Sequence, residues 1–113
     1  MNATESTWSA VCALDDIVPN TGVCALVKDR HVAVFRVQEG EGALYAIDNV
    51  DPHAQASVLS RGLVGNVGNR VVVASPLYKH HFDLRSGECL ETPGTSVAAY
   101  PVRLENRVVL VAV

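Results

Sequence analysis

The residues of this chain whose types and spacing could do chemistry gather in two short stretches, Asp51-Pro52-His53 and Ser75-Pro76-Leu77-Tyr78-Lys79-His80-His81. Asp51 and Ser75 offer hard oxygen and His53 one imidazole. Tyr78 offers a phenol, and with a reference pKa of about 10 it is a poor metal donor at neutral pH. An Asp just before a proline also has a structural use, because its carboxyl accepts backbone N–H groups and starts a turn or short helix. A lone loop histidine such as His53 is either simply hydrogen-bonded or solvated, or a contact to a partner. His80 and His81 do not add a chelating pair: on an extended segment successive side chains face opposite ways. Cys12, Cys24 and Cys89 are odd in number, lack C-x-x-C spacing and have no neighbouring His or Lys pattern that would activate a thiol. They are expected to be reduced, small and buried. The sequence contains no recognisable catalytic triad, phosphate loop or carboxylate pair.

Short strands must position these two stretches. Val-rich apolar runs recur at close intervals between Gly, Asn and Asp, without long helical periodicity, which is the pattern of an antiparallel β domain. Strands are expected near residues 7–12, 22–28, 31–38, 42–49, 63–67, 70–75, 81–83, 98–104 and 107–113. Lys28-Asp29-Arg30-His31 and Leu104-Glu105-Asn106-Arg107 place an Asp or Asn in two-residue hairpin loops, where positive φ suits the primed turns. Gly68-Asn69 and Glu39-Gly40-Glu41-Gly42 do the same with glycine. Single helical turns are expected at 14–17 and 54–59. The runs Val71-Val72-Val73 and Val108-Val109-Leu110-Val111 lack strict alternation, so both faces of those strands should be covered and the strands central. Closing the edges calls for a β-sandwich or partly open barrel.

At 113 residues the chain fits one domain, read as residues 7–113 behind a loose tail at 1–6 that ends where Trp8 docks. A net charge of −3 and the lack of any Lys/Arg block argue against nucleic acid as a partner. No apolar run reaches membrane-spanning length, and the first residues lack the basic and apolar regions of a signal peptide. A cytoplasmic protein with free thiols is the expectation.

The two stretches resemble the ligand loops of Rieske proteins, which carry Cys-x-His and Cys-x-x-His on facing loops. Pro76 after the second would-be Cys, and Phe82-Asp83-Leu84 with Gly87 after the second would-be His, carry the resemblance further. Of the four ligand positions, Asp51, His53, Ser75 and Tyr78, only His53 keeps its ligand. A Rieske cluster holds one iron by two thiolates and the other by two imidazoles, so neither side has a full pair. Asp51 through Gly65, with Ser75-Pro76-Leu77, looks like the small subunit of bacterial assimilatory NAD(P)H nitrite reductase, and the similarity spans about 8–113. What that resemblance implies is an all-β Rieske-like fold with no cofactor in this chain, bound to a large subunit. That subunit carries FAD, an iron–sulfur cluster and sirohaem, and it reduces nitrite to ammonium.

Ser75 and Tyr78 are then expected to fill the volume of the missing cluster, the phenol bonding to Ser75 or Asp51. Lys79 replaces the glycine common at its position and should project from the loop tip. Arg61, Gly62, Lys79 and His80 are the candidate partner-binding residues, with His53 a further contributor to a positive patch or a set of solvated loop charges. Two rival readings remain: a Rieske-type ferredoxin that carries electrons, and a stand-alone regulatory domain for another flavoenzyme.

Overall fold

The computed structural model describes residues 8–38 and 43–113. The expected tail at 1–6, the starts of two strands at Thr7 and Gly42, and the glycine turn at 39–42 lie outside the described residues. In chain order the strands are β1 (Trp8–Ala13), β2 (Thr21–Val27), β3 (Arg30–Val37), β4 (Ala43–Asp48), β5 (Val50–Asp51), β6 (Ala56–Ser57), β7 (Leu63–Val67), β8 (Arg70–Ala74), β9 (His81–Asp83), β10 (Ala99–Tyr100), β11 (Val102–Glu105) and β12 (Val108–Ala112). Their sheets run β1-β12-β11, β10-β4-β3-β2, β5-β6 and β7-β8-β9, every ladder antiparallel. The class is therefore all-β as expected, in separate antiparallel sheets with no closed barrel among the described residues.

β3 shows why the layers stack as they do. Its residues Val32 to Phe35 are all fully buried, because alternate side chains feed opposite cores. Val32 and Val34 pack with Ile17, Val27, Ala46, Val109 and Val111. Ala33, Phe35 and Val37 pack with Ile47, Leu59, Val71, Val73, Phe82, Leu84 and Cys89. The β10-β4-β3-β2 sheet is thus the middle layer, and the site loops hang from the sheet on its second face. β8 and β12 are the central strands of their sheets, as their valine runs imply. β8 buries Val71 to Val73, whereas β12 keeps an alternation with only Val109 and Val111 fully covered.

The hairpin turns have the expected primed geometry, but two lie one residue from the loops expected at 29–30 and 105–106: they fall at 28–29 and 106–107. Lys28 and Asp29, and likewise Asn106 and Arg107, all have positive φ, which is the type I′ pattern. Gly68 alone is positive in its turn, at φ 61°, the type II′ pattern.

Three local expectations change. The strand expected over 98–104 breaks at Pro101, which has no N–H for a ladder. β10 pairs with β4 before it, β11 pairs with β12 after it, and the Pro101 carbonyl accepts the Ala112 N–H at 3.0 Å. The helical turn expected over 54–59 becomes β6 followed by a 3-10 turn at Leu59–Arg61. Buried Asn49 is the cause: its carbonyl accepts the N–H groups of Val58 and Leu59, and its side-chain oxygen accepts that of Ser60 at 2.6 Å. Of the cysteines only Cys89 is fully buried; Cys12 is half-buried, and Cys24 on β2 is exposed with its sulfur 3.3 Å from the Asn49 amide.

β9 is followed by a turn built on Asp83, whose carboxyl accepts the N–H groups of Arg85 and Ser86 and the Nε of Arg70 at 2.7 Å. Gly87 ends that turn at φ 81°, so close to the Val97 carbonyl that a Cβ would lie 2.0 Å from it. Burial raises the Asp83 carboxyl, but these donors outweigh it and hold it below its usual 3.8. Glu91, opposed by burial in the same way, is brought down to about 2 by the backbone N–H and ring of His81. A carboxyl lowered on folding stabilises the protein above its unfolded pKa and stops doing so as pH falls through its folded one. The urea midpoint should therefore fall as pH drops from 4.5 toward 2, and Asp83→Asn should lower it at neutral pH while flattening that slope. An unchanged slope in Asp83→Asn would assign acid sensitivity to other groups.

Candidate functional site

The first site loop leaves β5 and returns through β6, with Asp51 paired to Ala56. Asp51 is completely buried. Its Oδ1 accepts the His53 N–H at 2.8 Å, and its carbonyl accepts the Gln55 N–H at 2.7 Å, so the Asp-Pro dipeptide starts a tight turn that Gln55 closes at φ 53°. The second loop joins β8 to β9. Ser75, 1% exposed, accepts the Lys79 N–H on its carbonyl and donates its own N–H to His80. Lys79 sits at φ 60°, the left-handed region that a glycine would occupy without strain.

A single side-chain bond ties the loops together. The Ser75 hydroxyl donates to Asp51 Oδ2, the second oxygen of the carboxyl whose first oxygen holds the His53 N–H. The thiolate positions of a Rieske site have thus become a buried donor–acceptor pair. The imidazole positions have changed differently: His53 stacks face to face on His80, with ring centroids 3.8 Å apart and planes 9° from parallel. Phe82 packs at a tilt on the same ring, and His53 Nε2 lies 3.0 Å from Thr95 Oγ1 and 3.8 Å from Cys89 Sγ.

Tyr78 does not fill the space expected of it. It is 60% exposed beside exposed Leu77, and Asp51 and Ser75 bond to each other rather than to its phenol. The residue that fills the volume is His80, from two positions later. Stacked on His53, it is half-buried at the position where it was expected among the partner contacts. His81 points the other way and places Nδ1 2.5 Å from the Glu91 carboxyl. Asn49, Thr95, Cys89 and Glu91 carry much of this site and have no motif in the sequence that marks them.

A two-iron cluster does not fit these residues. Asp51, Ser75 and Tyr78 cannot replace two thiolates and an imidazole, the first two are committed to each other, and His53 Nε2 is engaged by Thr95. Among the described residues no three His, Cys, Asp or Glu side chains come together in a group that could hold a metal ion.

Outside the loops lies a mostly apolar groove of about 400 Å³, lined by Arg61, Gly62, Leu63, Ala74, Ser75, Pro76, Lys79 and His81. Arg61 and Lys79 are exposed at its rim. Gly62 is there for steric reasons, since a Cβ would stand 2.2 Å from the Ala74 carbonyl. Of the groups expected to gather at the tip, Arg61 and Lys79 are exposed at the groove, and His53 and His80 are half-buried in their stack.

The buried bond makes a quantitative prediction. Ser75→Ala should cost about 1–3 kcal/mol, because it leaves one oxygen of a buried carboxyl without its donor. Asp51→Ala should cost more, since it also frees the His53 N–H, and the double variant should cost clearly less than the sum of the two. Urea unfolding measures all three; strictly additive losses would mean that the two side chains do not act as one staple.

The matching family model is the Rieske-like [2Fe-2S] domain, over residues 7–112. The NADH nitrite reductase small subunit of Escherichia coli K12 is 45% identical over 104 residues, covering 92% of this chain and 95% of that protein. The solution structure of the nitrite reductase [NAD(P)H] small subunit from Erwinia carotovora superposes with a TM-score of 0.80 at 51% identity, covering 96% of this chain and 82% of that one. A stretch of the nitrite reductase [NAD(P)H] large subunit of Klebsiella oxytoca is 41% identical over 99 residues, 88% of this chain and 10% of that protein. The chain belongs to the Rieske-like domain family and, within it, to the small subunits of NAD(P)H nitrite reductase, components of an enzyme complex.

Proposed function

We propose that this chain is the cluster-free, non-catalytic small subunit of a cytoplasmic NAD(P)H nitrite reductase, and that it works by binding the large redox subunit. The observation that carries the reading is the buried Asp51–Ser75 pair standing where a Rieske protein holds its thiolate-bound iron. A domain of this family whose redox position is closed by its own side chains has binding left as its contribution. Flavin, iron–sulfur cluster and sirohaem would all belong to the partner, which reduces nitrite to ammonium. The likeness to part of a Klebsiella large subunit supports the pairing, since there a domain of this kind lies within the large subunit's own polypeptide. No helix of the described residues is long and apolar enough to cross a membrane, which is compatible with a cytoplasmic complex.

The docking face is the groove side of the two loops. Arg61 and Lys79 form a local cationic rim on a chain of net charge −3, so the surface selects an acidic counterpart and steers its approach.

Arg61→Glu together with Lys79→Glu should weaken binding to the large subunit, more at low salt than at high, because exposed charges are screened over about 10 Å at ~0.1 M. Lys79→Gly should weaken it less, by removing one cation only, and should leave the melting temperature unchanged or raised by relieving the strained φ. Surface plasmon resonance at graded salt with thermal melts tests both. Binding by the charge-reversed variant equal to the parent at every salt concentration would move the interface off this rim.

A further inference from the structure

The edge of β7 lies beside the groove and lacks the usual protections of a strand edge among the described residues. β7 pairs with β8 alone, its register runs unbroken from Leu63 to Val67, and its sequence Leu-Val-Gly-Asn-Val holds no charge, proline or bulge. Those are the devices that keep strand edges from recruiting other strands. Other outer strands carry such protection: β11 has Arg103 and Glu105, β1 is bulged between Ala10 and Cys12, and β2 is flanked by the Leu59–Arg61 turn and β1.

The two-residue turn fixes which groups of β7 face outward. Val67 and Arg70 flank Gly68-Asn69, so they form a hydrogen-bonded pair, and alternation makes Gly65–Val72 and Leu63–Ala74 the next bonded pairs. The N–H and C=O groups of Val64 and Asn66 therefore point off the free edge. β8 obeys the same alternation, since the Val71 carbonyl, directed away from β7, accepts the Leu84 N–H of the β9 side at 3.0 Å. Along one face of β7, Leu63 is 80% and Val67 44% exposed, and a Cβ on Gly65 between them would meet nothing within 4 Å. Among the described residues nothing pairs with these groups, and an arriving backbone would meet them together with an open glycine flanked by two apolar side chains.

We infer that an extended segment of the large subunit adds a strand to the β7 edge, apolar along Leu63 to Val67 and acidic where it reaches Arg61 and Lys79. The inference rests on the proposed function and specifies how that complex is made. A second copy of this chain is a poorer occupant. Antiparallel pairing of two β7 strands would bring Arg61 toward the Gly68-Asn69 turn, which carries no carboxylate, and the nearby Asp83 and Glu88 are already held by Arg70.

Residue-resolved hydrogen exchange on this chain, free and in complex with the large subunit, tests the idea. The amides of Val64 and Asn66 should slow by about tenfold or more in the complex, as groups that gain a ladder bond. Asn66→Pro deletes an outward N–H at an edge position where proline is tolerated, so it should keep the fold and weaken the complex about tenfold at low and high salt alike. If that variant fails to fold, the exchange data on the parent chain decide alone. A complex that forms while both amides exchange at their free rates overturns this inference and leaves the proposed function standing; failure of any complex to form overturns both. A concentration-dependent dimer of the isolated chain that protects the same amides would assign the edge to self-association and equally overturn it.

Discussion

The structure of the site depends on one buried hydrogen bond, from the Ser75 hydroxyl to the Asp51 carboxyl. In a Rieske protein the two loops are cross-linked by metal, with thiolates and imidazoles as the attachment points. Here the cross-link is made of side chains. The Asp51 carboxyl binds the other loop with one oxygen and its own loop with the second, so a single group fixes both the turn at His53 and the distance to β8. On the imidazole side, the His53–His80 stack and the contact with Phe82 close the remaining volume with apolar ring faces. This arrangement satisfies Asp51 and Ser75, and His53 Nε2 meets Thr95, while His80 Nδ1 is buried without a hydrogen-bond partner among the described residues.

That closure separates an inner and an outer part of the site. The inner part is packed against the core through Cys89 and Phe82, and it holds the loops in one shape. The outer part is the surface that the proposed docking would use: Arg61 and Lys79 at the rim, Leu63, Leu77 and Tyr78 exposed, and the edge of β7 alongside. Exposed side chains of that size gathered at one end of a small domain fit an interaction surface better than a solvated tip.

Much of the architecture was legible in the residues themselves. The turn-forming Asp29, Asn106 and Gly68 mark their hairpins, and the valine runs of β8 and β12 mark central strands. Pro101 was a readable break that the apolar pattern around it obscured. The helical turn at 54–59 was misjudged because the groups competing for its N–H bonds belong to Asn49, whose role depends on burial. In the site, the loss of cluster ligands could be read from residue types alone. What replaces them could not: spacing favours Tyr78 for the empty volume, and only the left-handed Lys79 lets the chain turn so that His80 enters it instead. Thr95 and Glu91 reach the site through the fold, without a signature that chain position would betray.

The central claim is that side chains, rather than iron, hold these loops together in the working protein. The most direct measurement is the iron and acid-labile sulfide content of this chain, isolated without oxygen from iron-replete cells and then freed from its partner, read with its visible and electron paramagnetic resonance spectra. Less than a tenth of an equivalent of iron, with no visible charge-transfer bands, is the predicted result, taking as reference the two-iron centre of a Rieske protein. Close to two irons and two sulfides per chain, with the spectrum of a histidine-ligated cluster, would contradict the account.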